Sequence, residues 1–155
     1  MMKRLLAVAL PLALLSAALT VAAQDQPKTM WDGVIAEADA SRGQSEYLQM
    51  CGGCHGADLR GGREGAPALA GPAFFDRWHD LSVFDLFFAA EGKMDVAASP
   101  LVFDFEYRPP ELIRDIVSYI LKVNGAPAGT ELPTDFDQLG RIQITPKAGP
   151  NPVAP

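Results

Sequence analysis

Apolar residues recur at helical spacing over three stretches of this 155-residue chain, most clearly between residues 109 and 125. They fall three and four positions apart there, which places them on one face of an amphipathic helix. Pro109-Pro110 favours a helix start and Asn124-Gly125 favours its end. Asp115 and Lys122 are predicted on the opposite, polar face. The apolar positions are Leu112, Ile113, Ile116, Val117, Ile120 and Leu121.

Two further stretches predict helices. In the first, residues 38–50, Gly43 and Tyr47 lie four positions apart and therefore on one face. A glycine in mid-helix lowers helix stability by ~1 kcal/mol relative to alanine. Close approach of another backbone would explain Gly43, and the alternative is a glycine that the helix simply tolerates. The second, residues 82–90, begins with an N-cap serine, and Asp85 three residues later completes a capping box. No strand pattern of comparable strength occurs in the sequence, so we predict an all-α fold.

The first 23 residues have the composition of a secretory signal peptide. A short basic start is followed by an apolar run from Leu5 to Val21 and by small residues ending at Ala23. This order favours cleavage after Ala23. The apolar run is shorter than the ~20 residues that span a bilayer, and it contains Pro11 and Ser16. We therefore expect export, with membrane contact only if the leader is retained.

The remaining chain is long enough for one small domain with polar ends. Proline and glycine recur toward the C-terminus, which favours irregular structure there. We predict an irregular N-terminal extension at residues 24–37, a domain at 38–129 and an irregular Pro- and Gly-containing extension at 130–155.

The chain is acidic, and export makes it more so. Removing the leader takes away Lys3 and Arg4 but no acidic residue, which lowers the net charge from −6 to −8. Nucleic acids and anionic lipids bind basic surfaces, so they are not expected as partners. A protein with a basic patch is expected instead, unless the charge serves only to keep the protein soluble.

The strongest chemical signal is Cys51-Gly52-Gly53-Cys54-His55. Cys-x-x-Cys-His is the attachment signature of a c-type haem, in which two thiols bind the haem and the histidine becomes an axial iron ligand. Bacteria attach this haem after export, so the motif and the leader together predict a periplasmic protein with one haem c. A zinc site would need about four N/S ligands, whereas the chain has two Cys and two His. A thioredoxin-like dithiol or a disulfide is the other alternative, although no β-branched run precedes Cys51.

The second axial ligand decides whether the iron is closed or open to small molecules. The first two methionines leave with the leader, Met30 lies near the N-terminus and Met50 adjoins the motif, which leaves Met94. We therefore predict His55 and Met94 as the iron ligands, the alternative being that Met94 only fills the core. His79 is the competing ligand, and a surface or hydrogen-bonded histidine is its plainer interpretation.

These motifs and their order resemble the class I cytochromes c, in particular the small exported c-type cytochromes and haem domains that accompany quinoprotein alcohol dehydrogenases in proteobacteria. The resemblance covers about residues 38–129. Proline commonly follows the ligand methionine in that family, whereas Asp95 follows Met94 here. Besides the first helix and the cysteine motif, the resemblance rests on Gly61-Gly62, Ala66-Pro67-Ala68-Leu69-Ala70-Gly71, Phe74 to Trp78, Gly92-Lys93-Met94, Asp115 to Leu121 and Asn124 to Gly129.

The resemblance implies a class I cytochrome c fold and particular haem contacts. The Pro67 carbonyl would accept a hydrogen bond from the ligand histidine, and Leu69 would pack against the haem. The Trp78 indole would donate to a haem propionate, or it is a core residue with another partner. Arg60 and Arg63 would pair with propionates, or they are solvated loop residues. The first and last helices would cross at Gly43, Tyr47, Ile116 and Tyr119.

Three functions are compatible with these expectations. The first is a one-electron carrier, not an enzyme, between a dehydrogenase and a terminal oxidase or another cytochrome. A quinoprotein alcohol dehydrogenase is one such donor. The second is a tightly bound haem subunit of a dehydrogenase or oxidase complex. The third is a haem peroxidase, which would need an open iron site and distal acid–base groups that the chain scarcely supplies.

Overall fold

The computed structural model describes residues 28–62, 65–91 and 108–147. Within these ranges the chain is mostly helical, as predicted. None of the described helices has the length and apolar character that crossing a membrane requires. In chain order the elements are β1 (Lys28–Thr29), α1 (Glu37–Met50), α2 (Gly52–His55), α3 (Pro72–Trp78), α4 (Val83–Ala90), α5 (Pro110–Val123), α6 (Phe136–Leu139) and β2 (Ile142–Gln143).

The three predicted helices correspond to α1, α4 and α5. Helix α5 begins at the second proline of its pair and ends before Asn124, and its apolar face is buried. Helix α4 has the predicted capping box, because the Ser82 side chain accepts from the Asp85 backbone N–H and the Asp85 carboxylate accepts from Ser82. Local chemistry therefore sets these helix ends as the sequence indicates.

Helices α1 and α5 pack against each other backbone to backbone at Gly43. A Cβ atom added there would overlap the Asp115 carbonyl and lie 2.9 Å from the Ile116 backbone nitrogen. One turn further on, the rings of Tyr47 and Tyr119 are in contact, with centroids 5.5 Å apart. The close approach predicted for Gly43, and the crossing that the family resemblance implies, are both confirmed.

Asp115 is not on a solvated face, which corrects the sequence prediction. Its side chain is buried, and it accepts hydrogen bonds from Arg42 Nε at 2.7 Å and from Arg114 Nη2 at 2.9 Å. Arg42 also pairs with Asp39 of its own helix, and Arg114 with Glu131. The carboxylate can be buried at the crossing because two guanidinium groups compensate its charge.

The C-terminal segment is not irregular throughout, contrary to the sequence prediction. Strand β2 pairs in parallel with β1, and the Trp31 indole donates to the Thr145 carbonyl at 2.9 Å. Although proline and glycine recur in this segment, several of its apolar side chains belong to the same core as the helices. The buried residues of the segment are Leu132, Leu139, Ile142 and Ile144.

Replacing Gly43 with alanine tests the helix crossing. Alanine favours a helix by about 1 kcal/mol, whereas the overlap with Asp115 forces the two helices apart. We expect the packing cost to dominate, so that Gly43→Ala lowers the free energy of unfolding by at least about 2 kcal/mol in urea denaturation. Gly53→Ala is the matched control, because no atom lies within 4 Å of a Cβ there. Equal stability of the two variants would contradict the crossing geometry.

Candidate functional site

The cysteine motif forms a single helical turn at the end of α1. The Cys51 N–H donates to the Tyr47 carbonyl at 2.8 Å, and the His55 N–H donates to the Cys51 carbonyl at 2.9 Å. Cys51 is partly buried and Cys54 is exposed, and both are free thiols rather than a disulfide. Burial raises the pKa of the Cys51 thiol. Reactive dithiols have lowered thiol pKa values, so this environment does not favour dithiol redox chemistry.

His55 is buried, and its ring is held by the Pro67 carbonyl. The His55 Nδ1 atom lies 2.8 Å from that oxygen, which confirms the hydrogen bond that the family resemblance implies. A carbonyl can only accept, so Nδ1 must carry the proton and Nε2 must carry the lone pair. No hydrogen bond to Nε2 is found among the described residues. The ring is therefore in the tautomer and orientation that a metal-binding Nε2 requires.

The loop after the motif folds back onto it. The Gly61 N–H donates to the His55 carbonyl at 2.9 Å. A Cβ atom at Gly62 would overlap the Cys54 carbonyl and lie 3.1 Å from the Gly56 nitrogen, so the close return of the chain requires a glycine there. The backbone of the motif is thus covered on one side by its own following loop.

Tyr47 ties α1 to the residue that follows His55. Its hydroxyl is buried and donates to the Gly56 carbonyl at 2.7 Å. Burial raises the pKa of this hydroxyl well above its ordinary value, so the donated proton is retained at neutral pH. Tyr47 therefore has two contacts that fix the motif, this hydrogen bond and the ring contact with α5.

A second loop, residues 66–71, carries the Pro67 carbonyl to His55. It is joined to the first loop by the Leu69 N–H, which donates to the Leu59 carbonyl at 2.7 Å. Its far end is held by Asn124, whose side chain bonds both Leu69 and Gly71. In the sequence Asn124 is a helix stop and part of a motif of the family resemblance. Neither indicates hydrogen bonds to residues more than fifty positions away.

Trp78 ends α3, and its indole is 8% exposed. Its Nε1–H is buried without a hydrogen-bond acceptor among the described residues. An unpaired buried N–H costs about 1–3 kcal/mol, so this donor fits an acceptor that is not part of the described protein. A haem propionate is such an acceptor. Leu69, the other predicted haem contact of this region, is also buried.

The remaining predicted site residues are not brought together by the described structure. Met94 and Arg63 lie outside the described residues, as does Asp95, so their roles stay predictions. Arg60 is exposed, with Nε 4.0 Å from Asp58. His79 is exposed as well, and its Nδ1 lies 2.9 Å from the Phe75 carbonyl, in agreement with the plainer interpretation of a surface histidine.

Within residues 28–62, 65–91 and 108–147, no three His, Cys, Asp or Glu side chains are grouped so that they could hold a metal ion. A structural zinc site needs about four such ligands. The site has one buried imidazole and the two thiols of the motif, the groups that a c-type haem would use for an axial ligand and two thioether bonds.

Comparison of the chain with protein-family models, with curated proteins and with solved structures finds no match.

Replacing Tyr47 with phenylalanine tests the support of the motif. The change leaves the Gly56 carbonyl without its donor, so we expect the free energy of unfolding to fall by about 1 kcal/mol in urea denaturation. Tyr119→Phe is the matched control, because no hydrogen bond of its hydroxyl is found among the described residues. If both variants lose the same stability, the hydroxyl of Tyr47 has no special role.

Proposed function

We propose that this chain is an exported class I c-type cytochrome that carries single electrons in the periplasm. The donor in this proposal is a dehydrogenase, such as a quinoprotein alcohol dehydrogenase, and the acceptor is a terminal oxidase or another cytochrome. One observation carries the proposal. His55 is buried one residue after Cys54, and its Nδ1–H is fixed by the Pro67 carbonyl, so that Nε2 has its lone pair available.

The two thiols are arranged to hold the cofactor. Cys51 and Cys54 lie one helical turn apart in the sequence order that haem attachment requires. Each S–H would add across a haem vinyl group, the sulfur to one carbon and the hydrogen to the other, so the addition consumes no oxidant. A haem bound in this way supplies a one-electron ferric/ferrous couple.

Two polar groups of the described residues, the Trp78 indole and the Pro67 carbonyl, favour a haem over an apolar ligand. The Trp78 Nε1–H is a buried donor aligned with no acceptor of the described chain, and a propionate would satisfy it. The Pro67 carbonyl raises the basicity of the imidazole through Nδ1. Both groups act on an anionic, metal-containing cofactor, and neither would improve the binding of a hydrocarbon.

Met94 is the proposed sixth ligand of the iron, and this assignment rests on the sequence alone. A neutral thioether favours ferrous iron relative to a second imidazole and so raises the reduction potential. Two strong axial ligands also limit the nuclear rearrangement that accompanies electron transfer, which suits a carrier. With the sixth position filled, a peroxidase reaction has no site for its substrate.

The charge of the exported chain indicates the kind of partner. After cleavage at Ala23 the net charge is −8, and an acidic protein associates most rapidly with a basic surface. The proposed redox partners therefore present basic residues around their electron-transfer sites. No nucleic acid partner is proposed.

Covalent attachment is tested by expressing the chain with a haem-attachment system and separating the product under denaturing conditions. We expect a mature chain that begins at Gln24 and retains one haem by mass and by haem staining. The double variant Cys51→Ala/Cys54→Ala should lose all of the retained haem, because no thioether can form. Gly53→Ala is the control within the motif and should retain it. A wild-type chain without covalent haem would overturn the proposed function.

The axial ligand is tested by comparing Met94→Ala with Met50→Ala. In the oxidised wild type we expect the weak far-red band of sulfur-to-iron coordination, and in the reduced wild type no binding of carbon monoxide. Met94→Ala should lose the band, lower the reduction potential and bind carbon monoxide. Met50→Ala should do none of these. If Met94→Ala leaves the spectrum and potential unchanged, Met94 is not the ligand.

A further inference from the structure

The Asn124 side chain makes three hydrogen bonds at the end of α5, two of them to the loop that carries the Pro67 carbonyl. Its Nδ2 donates to the Leu69 and Ile120 carbonyls, each at 2.9 Å. Its Oδ1 accepts from the Gly71 N–H at 2.9 Å. We propose that Asn124 is a positioning residue for His55, acting through the 66–71 loop. The inference rests on the proposed function, since it concerns the histidine as an iron ligand.

The path from Asn124 to the imidazole is short. Asn124 fixes Leu69 and Gly71, and Leu69 is further held by its N–H, which donates to the Leu59 carbonyl at 2.7 Å. Pro67 lies two residues before Leu69, and its ring restricts its own backbone. Movement at Leu69 is therefore transmitted to the Pro67 carbonyl. A displaced carbonyl weakens the 2.8 Å contact with His55 Nδ1.

The same side chain also fixes the start of α3. Gly71 is the N-cap of that helix, which ends at Trp78. One amide thus bonds both the loop that carries the acceptor for His55 and the N-cap of the helix that carries the unpaired indole N–H. Both the acceptor and the indole N–H are polar groups of the proposed haem site.

Only an amide satisfies all the groups at this position. The site is buried, Asn124 being 9% exposed. The Leu69 carbonyl needs a donor there and the Gly71 N–H needs an acceptor, whereas the Ile120 carbonyl also accepts from the Asn124 backbone N–H. Aspartate would accept from Gly71 but would face two carbonyl oxygens without a proton to donate. Leucine would leave the Leu69 carbonyl and the Gly71 N–H unpaired.

The test uses the haem-bearing protein and compares Asn124→Asp and Asn124→Leu with wild type. The first readout is solvent exchange of the His55 Nδ1 proton, followed by NMR in the reduced state. The second is the reduction potential, which responds to the basicity of the histidine ligand. Asp135→Ala is the matched control. It removes a side-chain acceptor for the Gln138 N–H at 3.0 Å, a cap of α6 that is not in contact with the 66–71 loop.

We expect the His55 Nδ1 proton to exchange about tenfold faster in the Asn124 variants. A tenfold change corresponds to the loss of about one net hydrogen bond from the loop. The potential should shift in the same variants. Asp135→Ala should change neither, although it lowers overall stability. Asn124→Asp keeps the Gly71 contact and serves as the test if Asn124→Leu fails to fold.

Two results would count against the inference, and they are distinguishable. If folded Asn124 variants carry haem but show wild-type exchange and potential, or change only as much as Asp135→Ala does, the positioning role is wrong and the proposed function stands. If the wild type carries no covalent haem, the proposed function fails and this inference fails with it.

Discussion

The backbone contact between α1 and α5 sets the distance between the two parts of the candidate site. At Gly43 the helices approach so closely that any side chain would overlap the Asp115 carbonyl. Helix α1 continues from this contact to Cys51, and α5 continues to Asn124, which holds the 66–71 loop. Sliding one helix along the other would move the cysteine motif relative to the Pro67 carbonyl. The hydrogen bond that orients His55 therefore depends on a contact several turns away.

Charged residues at the crossing oppose such sliding. Asp39 and Arg42 come from α1, and Arg114 and Asp115 from α5, so the pairs join one helix to the other. The desolvation of these groups offsets most of their attraction, and their net contribution to stability is small. Separating Arg114 from Asp39 is different, because both side chains are nearly buried and separation would leave an uncompensated charge in the interior, which is costly. Arg42 is half exposed, which reduces that cost on its side.

Sequence reasoning succeeded where a feature is determined locally or by a recognisable motif order. The spacing of apolar residues in α5, the capping box of α4 and the close approach at the glycine of α1 can each be predicted from a few neighbouring residues. The contact of His55 with Pro67 followed from the order of motifs. Asp115 was misplaced because its position on the helix suggested a polar face, and no local pattern reveals that two arginines neutralise it. The contacts of Asn124 and the pairing of β1 with β2 join residues far apart in sequence, so composition and periodicity could not predict them.

Three buried side-chain atoms of the described residues have no hydrogen-bond partner: Asp39 Oδ2, Trp78 Nε1 and Ser118 Oγ. The Asp39 oxygen lies 3.5 Å from Arg114 Nε, so its charge is compensated. The Ser118 hydroxyl is also unpaired, but it can rotate toward the helix backbone, as serine hydroxyls in helices commonly do. The Trp78 indole has no such freedom, so its burial is costly unless a further group accepts its hydrogen bond. An anionic acceptor, such as a propionate of the proposed haem, would do so. The His55 imidazole is already oriented through Nδ1, so a group that binds its Nε2 would require little rearrangement of the ring.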